Sequence, residues 1–143
     1  MMARVAGARY GLGGAFWGGD GSPGSSAQAP VDLDLDHLSR QTFGDPELED
    51  ELLRLFDEQA AQILGRLAAP FEAGEAERRA DVAHAIKGSA LAIGASATAE
   101  MAGSYESALR SGDPDAEHYR QRLAQVIEAA RRAIASRRQA LWG

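Results

Sequence analysis

The sequence predicts an all-α protein, an antiparallel up-down four-helix bundle with a short extra helix at its N-terminal side. Three observations predict it. The composition is rich in Ala, Leu, Glu and Arg, with aromatic residues at only 6% and few β-branched residues, which favours helix over sheet. From Val31 onward apolar residues recur at helical spacing, and no strand-like alternation or internal repeat interrupts them. Gly and Pro clusters then divide the chain into segments joined by short loops, and helices so joined pack as antiparallel neighbours.

Residues 34–42 form the short first helix, with Leu35 and Leu38 one turn apart. Gly44-Asp45-Pro46 restarts the chain, Asp45 serving as N-cap and Pro46 as first helical residue. The helix that follows runs to about residue 69, with an apolar stripe of Leu48, Leu52, Leu55, Phe56, Ile63, Leu64 and Leu67. Pro70 ends it. A third helix spans about 75–93 and closes at Gly94; a fourth spans about 96–111 and stops at Gly112-Asp113-Pro114. The last runs over about 114–140, carrying Tyr119, Leu123, Val126, Ile127, Ala130 and Ile134. Phe43, Phe56 and Tyr119 are expected in the core.

At 143 residues the chain suits one domain, assigned here to 32–143. Residues 1–31 are expected to be a disordered Gly/Ser-rich extension, because stretches such as Ser-Pro-Gly-Ser-Ser bury too little surface to offset the entropy of ordering. Their glycines do not make a nucleotide loop, since no strand precedes them and no Gly-Lys-Ser/Thr follows. The absence of cysteine removes disulfides, thiolate metal sites and thiol nucleophiles. A net charge of −6 argues against non-specific binding to nucleic acid or anionic membranes. No apolar run approaches a membrane span or a secretory signal, so a cytoplasmic location is expected. Charge is uneven: residues 32–51 are acidic, whereas Arg131, Arg132, Arg137 and Arg138 make the end basic and are read as a solvated helix terminus.

Chemistry concentrates in the third helix. At about 100° per residue, Val82, Ile86 and Ile93 share one sector, which must face the core; His84 points about 160–180° away from it. Lys87, Gly88 and Leu91 follow His84 at i+3, i+4 and i+7, on its own side. Lys87 is the only lysine; the other fourteen of the 15 Lys and Arg residues are arginine. A flexible ammonium suits a transient phosphoryl group, whereas a guanidinium fork suits a fixed clamp. Gly88 costs about 1 kcal/mol relative to Ala in mid-helix, and either lets another protein approach or serves close helix packing. Leu91 is apolar yet outward, as on a docking surface. His37 and His118 lack such surroundings and are expected to be solvated.

The segment Ala83-His84-Ala85-Ile86-Lys87-Gly88-Ser89-Ala90-Leu91-Ala92-Ile93-Gly94-Ala95 resembles the signature of histidine-containing phosphotransfer (HPt) domains, roughly AHxLKGSxxxxGA. Ala102-Gly103-Ser104-Tyr105-Glu106 corresponds to the family's following helix. Gly44-Asp45-Pro46-Glu47-Leu48 and Leu53-Arg54-Leu55-Phe56 are similar to its second helix and lead-in. The likeness covers about 32–112 directly. Ala85 stands for a usual Thr and Ala92 for a common Asn, while Thr98 and Ala102 replace larger or sulfur-bearing residues.

The resemblance implies that His84 accepts a phosphoryl group from a receiver-domain phospho-aspartate and passes it to another receiver, with Lys87 offsetting the phosphoryl charge. Response-regulator receivers, and a hybrid histidine kinase, are the implied partners. Mg²⁺ would belong to the receiver, and no cofactor or metal of the chain's own is expected. Gly88, Leu91, Ala80 and Ala95 are assigned to partner binding, and Ser89, Gly94 and Glu106 to support. For Glu106 two readings stand, orientation of neighbouring donors and a plain surface or structural carboxylate, the second being favoured. With no ATP-binding segment or receiver-like βα pattern, the chain is expected to be a free-standing monomeric intermediary, a phosphoryl carrier rather than a conventional enzyme. The alternative is a non-catalytic helical adaptor or inhibitor. An esterase or phosphatase lacks a partnered nucleophile or metal set.

Overall fold

A computed structural model describes residues 33–72 and 74–142; the extension expected over 1–31 lies outside them. Helices hold 84% of the described residues, and no strand occurs among these. The elements are α1 (Leu35–Thr42), α2 (Pro46–Ala68), α3 (Ala76–Ile93), α4 (Ser96–Ser111) and α5 (Ala116–Trp142).

Local chemistry sets most boundaries. The Asp34 carboxylate accepts from the His37 N–H at the start of α1. Asp45 accepts from the Glu47 and Leu48 N–H groups above Pro46 at the start of α2. Gly94 and Gly112 end α3 and α4 in the left-handed conformation. The last helix begins two residues later than its pattern suggests, because the Asp113 side chain accepts from the Asp115 N–H at 2.8 Å and holds a turn there.

Helices α2 and α4 each pack on both α3 and α5, and α1 lies across α2 and α3. The ion pairs show that α2 and α5 run antiparallel: Arg131 Nε meets Asp57 at 2.8 Å, while Arg137 and Arg138 reach back to Glu49 and Asp50 at 2.5 and 2.7 Å. This corrects the reading of the arginine run as a solvated terminus. Three of its four members pair with carboxylates of α2, Arg137 and Arg138 at its acidic start and Arg131 at its middle, and Glu49 is buried beneath Arg137. At the other end, Arg79 and Arg120 donate to the Ala69 and Leu67 carbonyls, satisfying acceptors that the last turn of α2 leaves open.

The core runs through all five helices, from Leu38 to Ile134, with Tyr105 its largest fully buried side chain. Small residues such as Ala83 and Ala90 on α3, and Ala99 and Ala102 on α4, let these two helices approach closely.

Four expectations about the core change. Phe43 is not core; it is 90% exposed, at the left-handed C-cap of α1 (φ 55°). Leu48 and Leu55 face solvent, and Leu53, absent from the expected stripe, is fully buried. Val82 is only half-buried, since the buried line of α3 is Ala83, Ile86, Ala90 and Ile93. Ala80 and Ala95 are completely buried and cannot form a docking surface; apolar Cβ groups on the bundle side of α3 and its exit are covered by neighbouring helices.

Candidate functional site

The site grows from the α3–α4 hairpin. Gly94 is the C-cap of α3, and its φ of +80° suits glycine. A Cβ there would also lie 3.0 Å from Asp34 Cβ and 3.1 Å from Asp34 O, so a side chain at 94 would displace the lead-in to α1. The Asp34 N–H donates to the Gly94 carbonyl at 3.0 Å, and His37 Nε2 lies 3.2 Å from the Ala92 carbonyl. Half-buried His37 thus helps to seat α1 rather than standing fully in solvent, as the sequence suggested. His118 is exposed, its ring edge-on to Tyr119.

Past Gly94 the chain doubles back, and α4 returns alongside α3. The buried line of α3 lies about 140° from His84 at the helical period, so the imidazole leans to one side. That side is α4. His84 Nδ1 lies 3.2 Å from both Oε1 and Oε2 of Glu106. The His84 side chain is 68% exposed and that of Glu106 only 16%. Burial alone would push the Glu106 carboxyl up, but hydrogen bonds from His84 and Arg110 outweigh it and hold the group below the ordinary glutamate value. An ionised carboxylate only accepts, so Nδ1 carries the hydrogen and donates it. In the neutral ring the lone pair is therefore on Nε2, for which no described residue supplies a hydrogen bond.

Arg110 stands behind Glu106. Its guanidinium donates to Glu106 Oε2 at 3.1 Å, to Glu77 at 2.7 Å and to Asp81 at 3.2 Å, tying α4 to the first half of α3. Glu106 therefore joins the imidazole to a network spanning both helices; of the surface or structural carboxylate that the sequence favoured, its low exposure matches the structural half, and it also contacts the ring. Arg110, Asp81 and Glu77 were missed. Their signal was present in the i, i+4 spacings of Glu106 with Arg110 and of Glu77 with Asp81.

Lys87 also leans onto α4, where Gly103 faces it; a Cβ on that glycine would lie 3.7 Å from Lys87 Cδ and 3.8 Å from Nζ. No described carboxylate pairs with this ammonium. Gly88 has nothing within 4 Å of where its Cβ would be, so it leaves space on the surface and does not serve helix packing. Leu91 is 55% exposed. Ser89 donates to the Ala85 carbonyl at 3.2 Å, within its own helix. Beside this face Leu52, Leu55, Ser89 and Ala92 line a groove of about 180 Å³ between α2 and α3.

The described residues thus form a helical bundle that presents an exposed imidazole, held through one nitrogen by a largely sheltered carboxylate. Comparison with known families makes this specific, since the family model of the Hpt domain matches residues 51–135, more than half of the chain. The chain belongs to the Hpt domain family, whose members carry out phosphotransfer in two-component signalling and interact with receiver domains and kinases. Comparisons with curated proteins and with solved structures returned no match. No helix among the described residues is long and apolar enough to cross a membrane.

Proposed function

We propose that this chain is a cytoplasmic phosphorelay intermediary in which His84 accepts a phosphoryl group from a receiver-domain phospho-aspartate and passes it to a second receiver. The observation that carries the reading is the His84–Glu106 pair on an otherwise open helix face. By engaging Nδ1, Glu106 selects the tautomer whose lone pair is on Nε2 and restricts rotation of the ring.

In the forward step the Nε2–phosphorus bond forms while the aspartyl oxygen–phosphorus bond breaks, and the aspartate leaves with the bonding pair. The Nδ1 proton stays, hydrogen-bonded to Glu106, so the product ring is cationic and faces a carboxylate. Onward transfer reverses these bond changes on the second receiver. Lys87, free of carboxylate partners among the described residues, offsets charge on the phosphoryl oxygens. Gly88 and Leu91 give the approaching receiver clearance and apolar contact.

The test is incubation with a phosphorylated receiver. The chain should acquire an acid-labile, base-stable phosphoryl group, and His84→Gln should abolish it without changing the helical circular dichroism. Labelling that survives His84→Gln overturns the site. Receiver binding with no labelling of the native chain replaces this reading with that of a helical adaptor.

A further inference from the structure

His84 and Lys87 face α4 in one register. His84 is opposite Glu106, and one turn further along α3 Lys87 is opposite Gly103, one turn earlier on antiparallel α4. Beside Gly103 the short side chains of Ser104, Ser107 and Ser111 line a groove of about 600 Å³ with Lys87, and Glu100, Asp113 and Tyr119 also border it. We propose that Gly103 is a positioning residue for Lys87, its missing side chain forming the seat on which the lysine stem rests and leaving the ammonium unpaired beside His84. The inference rests on the reading of His84 as phosphoryl acceptor.

The distances carry the argument. Cδ, Nζ and Cε of Lys87 lie 3.7, 3.8 and 3.9 Å from the position of a Cβ on Gly103, so the end of the lysine curves over this one residue. An alanine fits there at ordinary van der Waals separation. A branched side chain does not, because its next carbons would occupy the volume of the lysine stem, and Lys87 would be turned towards solvent. A glutamate would meet the ammonium directly and take up the charge intended for the phosphoryl oxygens. Helix propensity works in the opposite direction: glycine in α4 is destabilising relative to almost any replacement. Its presence opposite the only lysine of the chain therefore calls for a reason other than helix stability.

The test uses the full chain and two readouts. Lysine labelled with ¹³C gives a single Cε resonance, because Lys87 is the only lysine. Gly103→Leu and Gly103→Glu should both move that resonance. The rate of phosphorylation by phosphoramidate, a small donor that needs no protein docking, should fall about tenfold in Gly103→Leu and Gly103→Glu, as expected for loss of one charge-assisted contact. Gly103→Ala should lose no more than about twofold, since only a methyl is added at an allowed distance. In phosphoramidate the phosphorus–nitrogen bond breaks, ammonia leaves with a proton, and the phosphorus–Nε2 bond forms. An unchanged Cε resonance in Gly103→Leu and Gly103→Glu overturns the seat by itself. Native-like rates in both variants, with the native chain labelled and His84→Gln unlabelled, overturn the positioning role and leave the phosphotransfer reading standing. Labelling of His84→Gln, or none of the native chain, overturns both.

Discussion

His84 Nδ1 and the Glu106 carboxylate face each other at 3.2 Å from both oxygens, across two helices and 22 residues of sequence. One side of the imidazole is thereby committed to the protein and the other left to a partner. Replacing Glu106 with Ala should remove the restraint on ring and tautomer and slow receiver-to-His84 transfer about tenfold, the worth of one charge-assisted hydrogen bond. Glu106→Gln, which still offers an acceptor oxygen, should recover most of the rate. Imidazole ¹⁵N shifts supply an independent check: Nδ1–H should dominate in the native chain and give way to a tautomer mixture in Glu106→Ala.

The same pair has a pH signature. Because Glu106 is held below the ordinary glutamate value in the folded state, its interactions stabilise the fold fully above that ordinary value, about 4.3, and are lost as pH falls through the depressed one. The stability difference between the native chain and Glu106→Gln should be present above about pH 4.3 and shrink as the pH falls below it. Urea melts at stepped pH measure it. A difference that grew as the pH fell below that value would contradict the assigned sign.

Gly94→Ala tests the junction that seats α1. The left-handed backbone opposes any Cβ, and Asp34 already lies at contact distance. A loss of about 1–3 kcal/mol is expected in denaturant unfolding, with increased amide exchange over α1.

The α2–α5 seam offers a contrast. Arg137→Ala leaves Glu49 buried without its partner and should cost about 3 kcal/mol. Replacing both residues with Leu should cost much less, since no lone charge stays behind. Chemical denaturation of the two variants and the native chain decides this.

Docking and chemistry should separate on the exposed face. Leu91→Asp puts a charge where an apolar contact is expected, and should weaken receiver affinity about tenfold while direct phosphorylation by phosphoramidate continues. Lys87→Ala should do the reverse, slowing transfer more than it weakens binding. Titration calorimetry against a receiver, set beside labelling rates, distinguishes them.

Much of this was legible in the residues because it is local. Helical spacing, the Asp45-Pro46 start and the glycines at 94 and 112 specify five helices through interactions within a few residues. His84, Lys87, Gly88 and Leu91 occupy one helix, so periodicity alone put them on one side of it. Tertiary structure decided what each of them faces. The register of α4 against α3 is set by packing of Ala83, Ile86, Ala90, Ala99 and Ala102 in the shared core, and that register brings Glu106 to His84 and Gly103 to Lys87. The same close packing covers Ala80 and Ala95, and antiparallel α2 meets Arg137 and Arg138 with carboxylates 88 residues earlier in the chain. A helical period fixes direction around one axis, but which helix stands in that direction, and at what height, depends on how all the apolar faces close together.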